Sequence, residues 1–126
     1  MKDIYINLYS AGGVEDYYIP VPCRGIVHSL KINANATLVA TGTITLSRSS
    51  TAVNTATAPT GDTAVGTILE GTPDTTNKDL IFDPDSETAA YKVIKVSFDT
   101  TVLGGAANVT LLIEYDDSAA VDQSST

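Results

Sequence analysis

The chain has 126 residues, a formal net charge of −8 at pH 7 and a single cysteine. Its acidic character opposes binding to nucleic-acid phosphates and to anionic lipid headgroups, so we expect neither nucleic acid nor a membrane as a partner. A lone cysteine excludes an intrachain disulfide, and the length fits one domain whose core is large enough to fold without covalent cross-links.

Apolar and polar residues alternate along much of the chain, and this period of two is typical of strands that bury one face. Every potential helical period is interrupted by Gly, Pro or Thr, so we predict an all-β protein. The stretch 49–62 is polar and rich in Thr and Ala, and we predict that it is the longest loop. In chain order, the predicted strands cover residues 3–9, 17–23, 25–34, 42–48, 63–70, 79–83, 91–98 and 109–115.

About eight strands separated by turn residues predict a two-sheet β-sandwich of the jelly-roll type, with an immunoglobulin-like sandwich as the alternative. We place this single domain at residues 1–116. Residues 117–126 are small, polar and acidic, and we predict a flexible tail there. The second predicted strand carries Pro20 and Pro22, which cannot donate hydrogen bonds to a neighbouring strand, so we expect it at a sheet edge.

Residues suited to catalysis are few. Cys23 follows the apolar parity of its strand, which indicates an inward-facing thiol, and His28 shares a predicted face with Ile26 and Leu30, which indicates a core or rim histidine. A Cys–His nucleophile would require these two side chains to converge. The sequence contains no nucleophile elbow, phosphate-binding loop or dinucleotide fingerprint, so we expect neither enzymatic activity nor a cofactor.

One acidic loop is a candidate cation site. Asp83, Asp85 and Glu87 alternate along it, and calcium prefers clusters of carboxylate oxygens. The loop lacks the glycine and the closing glutamate of a helix–loop–helix calcium site. We therefore interpret it as a solvated turn first and as a metal site second.

A further set of residues suits protein contact. Three tyrosines fall outside the apolar parity of their strands, and tyrosine is enriched in protein interfaces. The proline-bearing strand and the long Thr/Ala loop are further candidates for contact with another subunit or with a larger assembly. The candidate interface residues are Tyr5, Tyr9, Tyr18, Pro20, Pro22 and Val53.

Several segments together resemble a known family. They are Tyr18-Ile-Pro-Val-Pro-Cys-Arg-Gly-Ile-Val27, Thr43-Ile-Thr-Leu-Ser47, a Thr/Ala-rich middle and Ala107-Asn-Val-Thr-Leu-Leu-Ile-Glu114. This combination resembles the head decoration, or cement, proteins of tailed bacteriophages. The resemblance covers most of the chain and implies a β-sandwich, often trimeric, on the outside of a capsid.

The resemblance implies a structural virion protein that binds the major capsid protein, stabilises the shell and forms a homotrimer. It brings no catalytic residues. The N-terminus lacks the apolar run of a signal peptide, so we expect synthesis in the host cytoplasm. Two other classes remain open: a receptor- or carbohydrate-binding module of a phage tail or fibre, which predicts a pocket lined by tyrosine, and a small hydrolase, which predicts a cleft with a carboxylate of raised pKa.

Overall fold

Strands account for nearly all the regular structure, as the alternation of apolar residues predicts. The computed structural model describes residues 2–10, 15–34, 42–57, 64, 66–98 and 107–118. A short 3-10 turn, Ala89–Lys92, precedes the eighth strand. The strands are β1 (Lys2–Ser10), β2 (Glu15–Pro20), β3 (Ile26–Ala34), β4 (Thr43–Arg48), β5 (Thr51–Thr57), β6 (Leu69–Glu70), β7 (Thr72–Pro73), β8 (Val93–Phe98) and β9 (Ala107–Asp116).

The strands form two antiparallel sheets that pack face to face. One sheet has the order β1-β9-β3-β6, and the other has the order β2-β8-β4-β5-β7. Strands that are neighbours in sequence repeatedly lie in different sheets, so the chain crosses between the layers many times. This interleaving is that of a jelly roll, with β7 as a short addition, and it confirms the predicted fold class.

The core lies between the sheets and is built mainly on β8 and β9. Side chains of alternating residues along these two strands are buried, and those between them point outward. This agrees with the inward sides predicted from sequence, since a strand's side chains alternate between its two faces. The buried residues of the two strands are Ile94, Val96, Phe98, Val109, Leu111, Ile113 and Tyr115.

Tyr115 joins β9 to the loops at one end of the sandwich. Its hydroxyl donates to the carbonyl of Cys23 at 2.7 Å and lies 3.3 Å from the carbonyl of Phe82. Gly25 passes so close to this ring that an added Cβ would lie 2.7 Å from it and 2.4 Å from the carbonyl oxygen of Asp116. Because no side chain fits there, glycine at position 25 allows the tyrosine to seal the end of the core.

Three predicted segments differ from the structure. The predicted loop 49–62 contains β5, whose Thr and Ala residues pair with β4. Among the described residues of the predicted strand 63–70, β6 is the one strand, and positions 63 and 65 lie outside the described residues. The predicted strand 79–83 is reduced to a single bridge between Phe82 and Gly25.

The predicted face of the third strand was wrong at its start. A β-bulge interrupts the pairing of β3 with β9 between Val27 and Ser29. Because one extra residue reverses the alternation, Val27 is buried and His28 is exposed. Leu30 and Ile32 point into the core as predicted.

Candidate functional site

The outer side of the four-stranded sheet carries an apolar surface. Tyr5 on β1 lies opposite Leu112 on β9, and Leu112 lies opposite Lys31 on β3. These three side chains form a row across the sheet, and Ile68 lies beside it. We call this surface, defined by Tyr5, Lys31, Ile68, Thr110 and Leu112, the aromatic face.

Two large apolar side chains of the aromatic face remain in solvent. Tyr5 is 69% exposed and Ile68 is 55% exposed. Between them lies a shallow groove of about 210 Å³. Contiguous exposed apolar side chains on a folded domain mark contact sites more often than isolated ones do. The residues that line the groove are Tyr5, Lys31, Ile32, Asn33, Ile68, Thr110 and Leu112.

Charge on this side of the sheet lies in the row of Tyr5 and Leu112 and in the neighbouring row, where Asp3 is opposite Glu114. Glu114 accepts a hydrogen bond from the Ser29 hydroxyl at 2.7 Å, and Lys31 Nζ lies 3.9 Å from the same carboxylate. The lysine's charge is therefore drawn toward Glu114, and its aliphatic stem covers the sheet beside Leu112. Glu70 on β6 lies opposite Lys31, so the row of Tyr5 and Leu112 carries one positive and one negative charge. The next row, made of Asn7, Thr110 and Asn33, is uncharged.

The outer side of the five-stranded sheet has a different chemistry. One row runs across all five strands, and four of its five members bear a hydroxyl group. We call this surface the hydroxyl face. Hydroxyl side chains bind water at little cost, so this surface requires no partner to cover it. The row consists of Asp16, Ser97, Thr45, Thr55 and Thr72.

A second groove, of about 400 Å³, lies at the end of the hydroxyl face. Tyr18 of β2, which is 61% exposed, forms one wall. Lys95 lies in the groove, and its Nζ is 3.9 Å from a carboxylate oxygen of Asp16. The groove therefore offers an aromatic ring, hydroxyls and an ammonium group to a ligand. Its lining is completed by Ser49, Ser50, Ala89, Ala90 and Val93.

The acidic loop is tied to a neighbouring arginine. Asp83 Oδ2 accepts from Arg24 at 3.0 Å, and Asp83 Oδ1 accepts from the backbone N–H of Asp85 at 2.9 Å. Within the described part of the chain, no three His, Cys, Asp or Glu side chains lie close enough to hold a metal ion. Asp83 thus anchors this turn to Arg24, and Asp83, Asp85 and Glu87 do not converge into a metal-binding cluster.

Cys23 and His28 have separate environments. Cys23 is half-buried against the core, and burial, followed by the charge of Asp117, raises the pKa of its thiol. A raised pKa lowers the thiolate fraction at neutral pH, which is opposite to the activation that a nucleophilic cysteine requires. His28 is exposed on β3. We therefore find no support for the Cys–His alternative in these two positions.

Five of the six predicted interface residues are exposed, and one is buried. Tyr5, Tyr9 and Tyr18 are exposed, as their parity indicates. Pro20 lies in β2, which is an edge strand as predicted, and both it and Pro22 are exposed.

The sixth candidate, Val53, is a correction. It lies in β5 and is 2% exposed, so its side chain belongs to the core and is not available for contact. The error follows from interpreting residues 49–62 as a loop.

Sequence reasoning missed the partners of Tyr5 in the aromatic face. Leu112 interrupts the alternation of β9 as an apolar residue at an outward position, and that interruption was a usable signal. The position of Ile68 beside Tyr5 depends on how β6 docks on β3, which no local pattern specifies.

Comparison with known proteins gives no assignment. No family model, no curated protein and no solved structure matches this chain. Among the described residues, no helix has the length and apolar character that crossing a bilayer requires. Function must therefore be inferred from the chain's own surfaces.

Proposed function

We propose that this protein is a structural virion protein that binds the outer surface of a capsid shell through its aromatic face and stabilises the assembled shell. The observation that carries the proposal is the row Tyr5–Leu112–Lys31 with Ile68 beside it, which leaves the Tyr5 ring and the Ile68 side chain in solvent on one sheet surface. The partner is the major capsid protein, and the homotrimer implied by the resemblance is part of the proposal.

The chemistry of the aromatic face supports protein contact. Interface centres are depleted in charge and enriched in aromatic residues, and a few such residues contribute most of the binding free energy. Asn7, Asn33 and Thr110 surround the apolar row with uncharged hydrogen-bonding groups. This arrangement suits a flat protein surface better than it suits a small charged ligand.

Stabilisation follows from the assembly that the protein binds. A protein that binds the assembled shell and not the separate subunits shifts the equilibrium toward the shell by mass action. The acidic charge agrees with a location outside the shell, away from packaged nucleic acid. No bond is made or broken in this role, so it requires no catalytic group.

Co-sedimentation with assembled capsid shells tests the proposal. We expect saturable binding to shells, weak or no binding to unassembled capsid protein, and a higher melting temperature for decorated shells. The Ile68→Ser variant should weaken binding to shells about tenfold, the effect of losing one interface anchor. Equal binding to shells and to free subunits, or no binding to shells, would contradict the proposal.

A second candidate function follows from the groove beside Tyr18. An exposed tyrosine ring beside Ser49, Ser50 and Lys95 provides a stacking surface and hydrogen-bonding groups, which suits a sugar ring. Jelly rolls occur both in capsid proteins and in lectins, so the fold does not decide between the two functions. Glycan-array binding that Tyr18→Ala abolishes and Ile68→Ser leaves unchanged would support this candidate over the first.

A further inference from the structure

The four edges of the two sheets are protected to very different degrees. β6 and β7 are two residues long, and so offer few free backbone groups. β2 begins with Glu15 and Asp16 and ends with Pro20. Short strands, charges and proline are the usual means by which proteins prevent further strand pairing at an edge.

β1 has none of these protections along most of its length. It is nine residues long, contains no proline and carries its charges only at Lys2 and Asp3. All nine residues pair with β9 on one side, and no other described strand pairs with the opposite side. A long, unprotected edge of this kind is a template for another strand.

The core-facing side chains of β1 are incompletely covered. Ile4, Ile6 and Leu8 pack against the core but are only half-buried, whereas the equivalent side chains of β9 are fully buried. A strand added beside β1 would cover the remaining part of this apolar strip. A second strand with apolar residues at every second position would therefore both pair with the free backbone groups of β1 and cover its apolar side chains.

We propose that β1 pairs antiparallel with β1 of a second copy of this chain, about a two-fold axis at Ile6. In this register Ile6 lies opposite its own symmetry mate, and Ile4 lies opposite Leu8 of the second copy. Tyr5 lies opposite Asn7, and Asp3 lies opposite Tyr9. Apolar residues therefore meet apolar residues on the core side, and no two like charges are opposed.

The sequence of β1 favours this register over its neighbours. Centring the axis on Ile6 pairs all nine residues, whereas centring it on Tyr5 leaves Tyr9 and Ser10 unpaired and places Lys2 opposite Leu8. A shift of the pairing between the two strands by an odd number of residues would place the apolar side chains of one copy opposite the polar side chains of the other. Because β1 is complementary to itself in this way, β1 of a second copy can both pair with its free backbone groups and cover its half-buried apolar side chains.

Pairing would join two four-stranded sheets into one continuous sheet of eight strands. The two aromatic faces would then lie on the same side of that sheet, with Tyr5 of each copy near the axis. The inference does not rest on the proposed function, because it concerns the edge of β1 and would hold for any activity of the face. A two-fold contact here is also compatible with a three-fold contact elsewhere, which would give a hexamer.

Light scattering after size-exclusion chromatography tests the inference on the full chain. We expect a mass of two copies, or of six if the trimer contact also forms. Ile6→Glu and Ile6→Lys should each remove the two-fold contact, because like charges would meet at the axis. Mixing the two variants should restore it, since opposite charges would then meet. A wild-type monomer or trimer, or a mixture that stays dissociated, would overturn the inference.

A cross-linking experiment tests the register without relying on charged variants. In a Cys23→Ala background, Ile6→Cys should form a disulfide-linked dimer under mild oxidation, because opposite Cα atoms in antiparallel strands lie about 4.5–5.5 Å apart, within disulfide range. Asn33→Cys, at an exposed position of β3, is the matched control and should remain monomeric on denaturing gels. Equal cross-linking of the two variants would show random collision and would overturn the register.

Discussion

The two outer faces of the sandwich are built on the same core, yet they differ in what they leave in water. The aromatic face exposes Tyr5 and Ile68 beside each other, whereas the hydroxyl face presents a row of Ser and Thr side chains and exposes Tyr18 at its end. The apolar residues of the first face lose free energy in contact with water, and the hydroxyls of the second do not. The hydroxyl row covers the same core with polar side chains, so the fold itself does not require the exposed apolar pair Tyr5 and Ile68 on the aromatic face.

The largest effect is expected from breaking the core that both faces share. Ile113→Ala removes a fully buried side chain of β9, and such changes cost about 2–5 kcal/mol of unfolding free energy. Leu112→Ala, one residue earlier on the outward side, is the matched control and should cost well under about 2 kcal/mol because its side chain is partly exposed. Urea denaturation followed by circular dichroism measures both. Equal losses would mean that the assignment of inner and outer faces on β9 is wrong.

A smaller effect is expected at the tyrosine that seals the core. Tyr115→Phe removes the hydrogen bond to the Cys23 carbonyl, and we expect a loss of about 1 kcal/mol. Burial, with smaller contributions from nearby acidic groups, raises the pKa of Tyr115 well above its usual value. Because the folded state disfavours deprotonation of this phenol, the contribution of Tyr115 to folding stability is fully present below pH about 10. That contribution decreases as the pH rises above this value.

Denaturation midpoints at neutral and alkaline pH test this assignment. The wild type should lose stability as the pH rises above about 10, and Tyr115→Phe should lose less over the same interval. Other tyrosines titrate in the same range, so the comparison between the two proteins carries the result. Identical alkaline curves would show that Tyr115 is not the buried phenol described above.

The smallest effect is expected on the hydroxyl face. Thr45→Val keeps the β-branched shape of a residue that pairs with Thr55 and Ser97, and we expect a change of unfolding free energy below about 0.5 kcal/mol. The same variant should bind capsid shells as the wild type does. A clear loss of shell binding would show that the hydroxyl face, and not the aromatic face, contacts the shell.

Local patterns predicted the parts of the fold in which one face is cleanly apolar. β8 and β9 satisfy this condition, and their inward residues were assigned correctly. β5 was missed because Thr and Ala are spread over both of its faces, and its inner position Asn54 is polar although fully buried. The bulge before Ser29 was missed because it depends on pairing with β9 and leaves no local signal.

The candidate site could be predicted only in part from the sequence, because it too depends on pairing between distant strands. Tyr5, Tyr9 and Tyr18 were identified because each breaks the apolar parity of its own strand. Nothing local indicates that Tyr5 has Leu112 as its neighbour while Tyr18 lies on the other sheet. That separation depends on the register of β1 with β9 and of β2 with β8, which joins residues distant in the chain.

If adhesion resides on the aromatic face, two equivalent tyrosine substitutions on opposite faces should affect binding differently. Tyr5 and Tyr18 have similar exposure, 69% and 61%, but lie on opposite faces. Binding of Tyr5→Ser and Tyr18→Ser to assembled capsid shells should differ about tenfold, with Tyr5→Ser the weaker. Equal affinities, or a greater loss for Tyr18→Ser, would show that the aromatic face is not the site of adhesion.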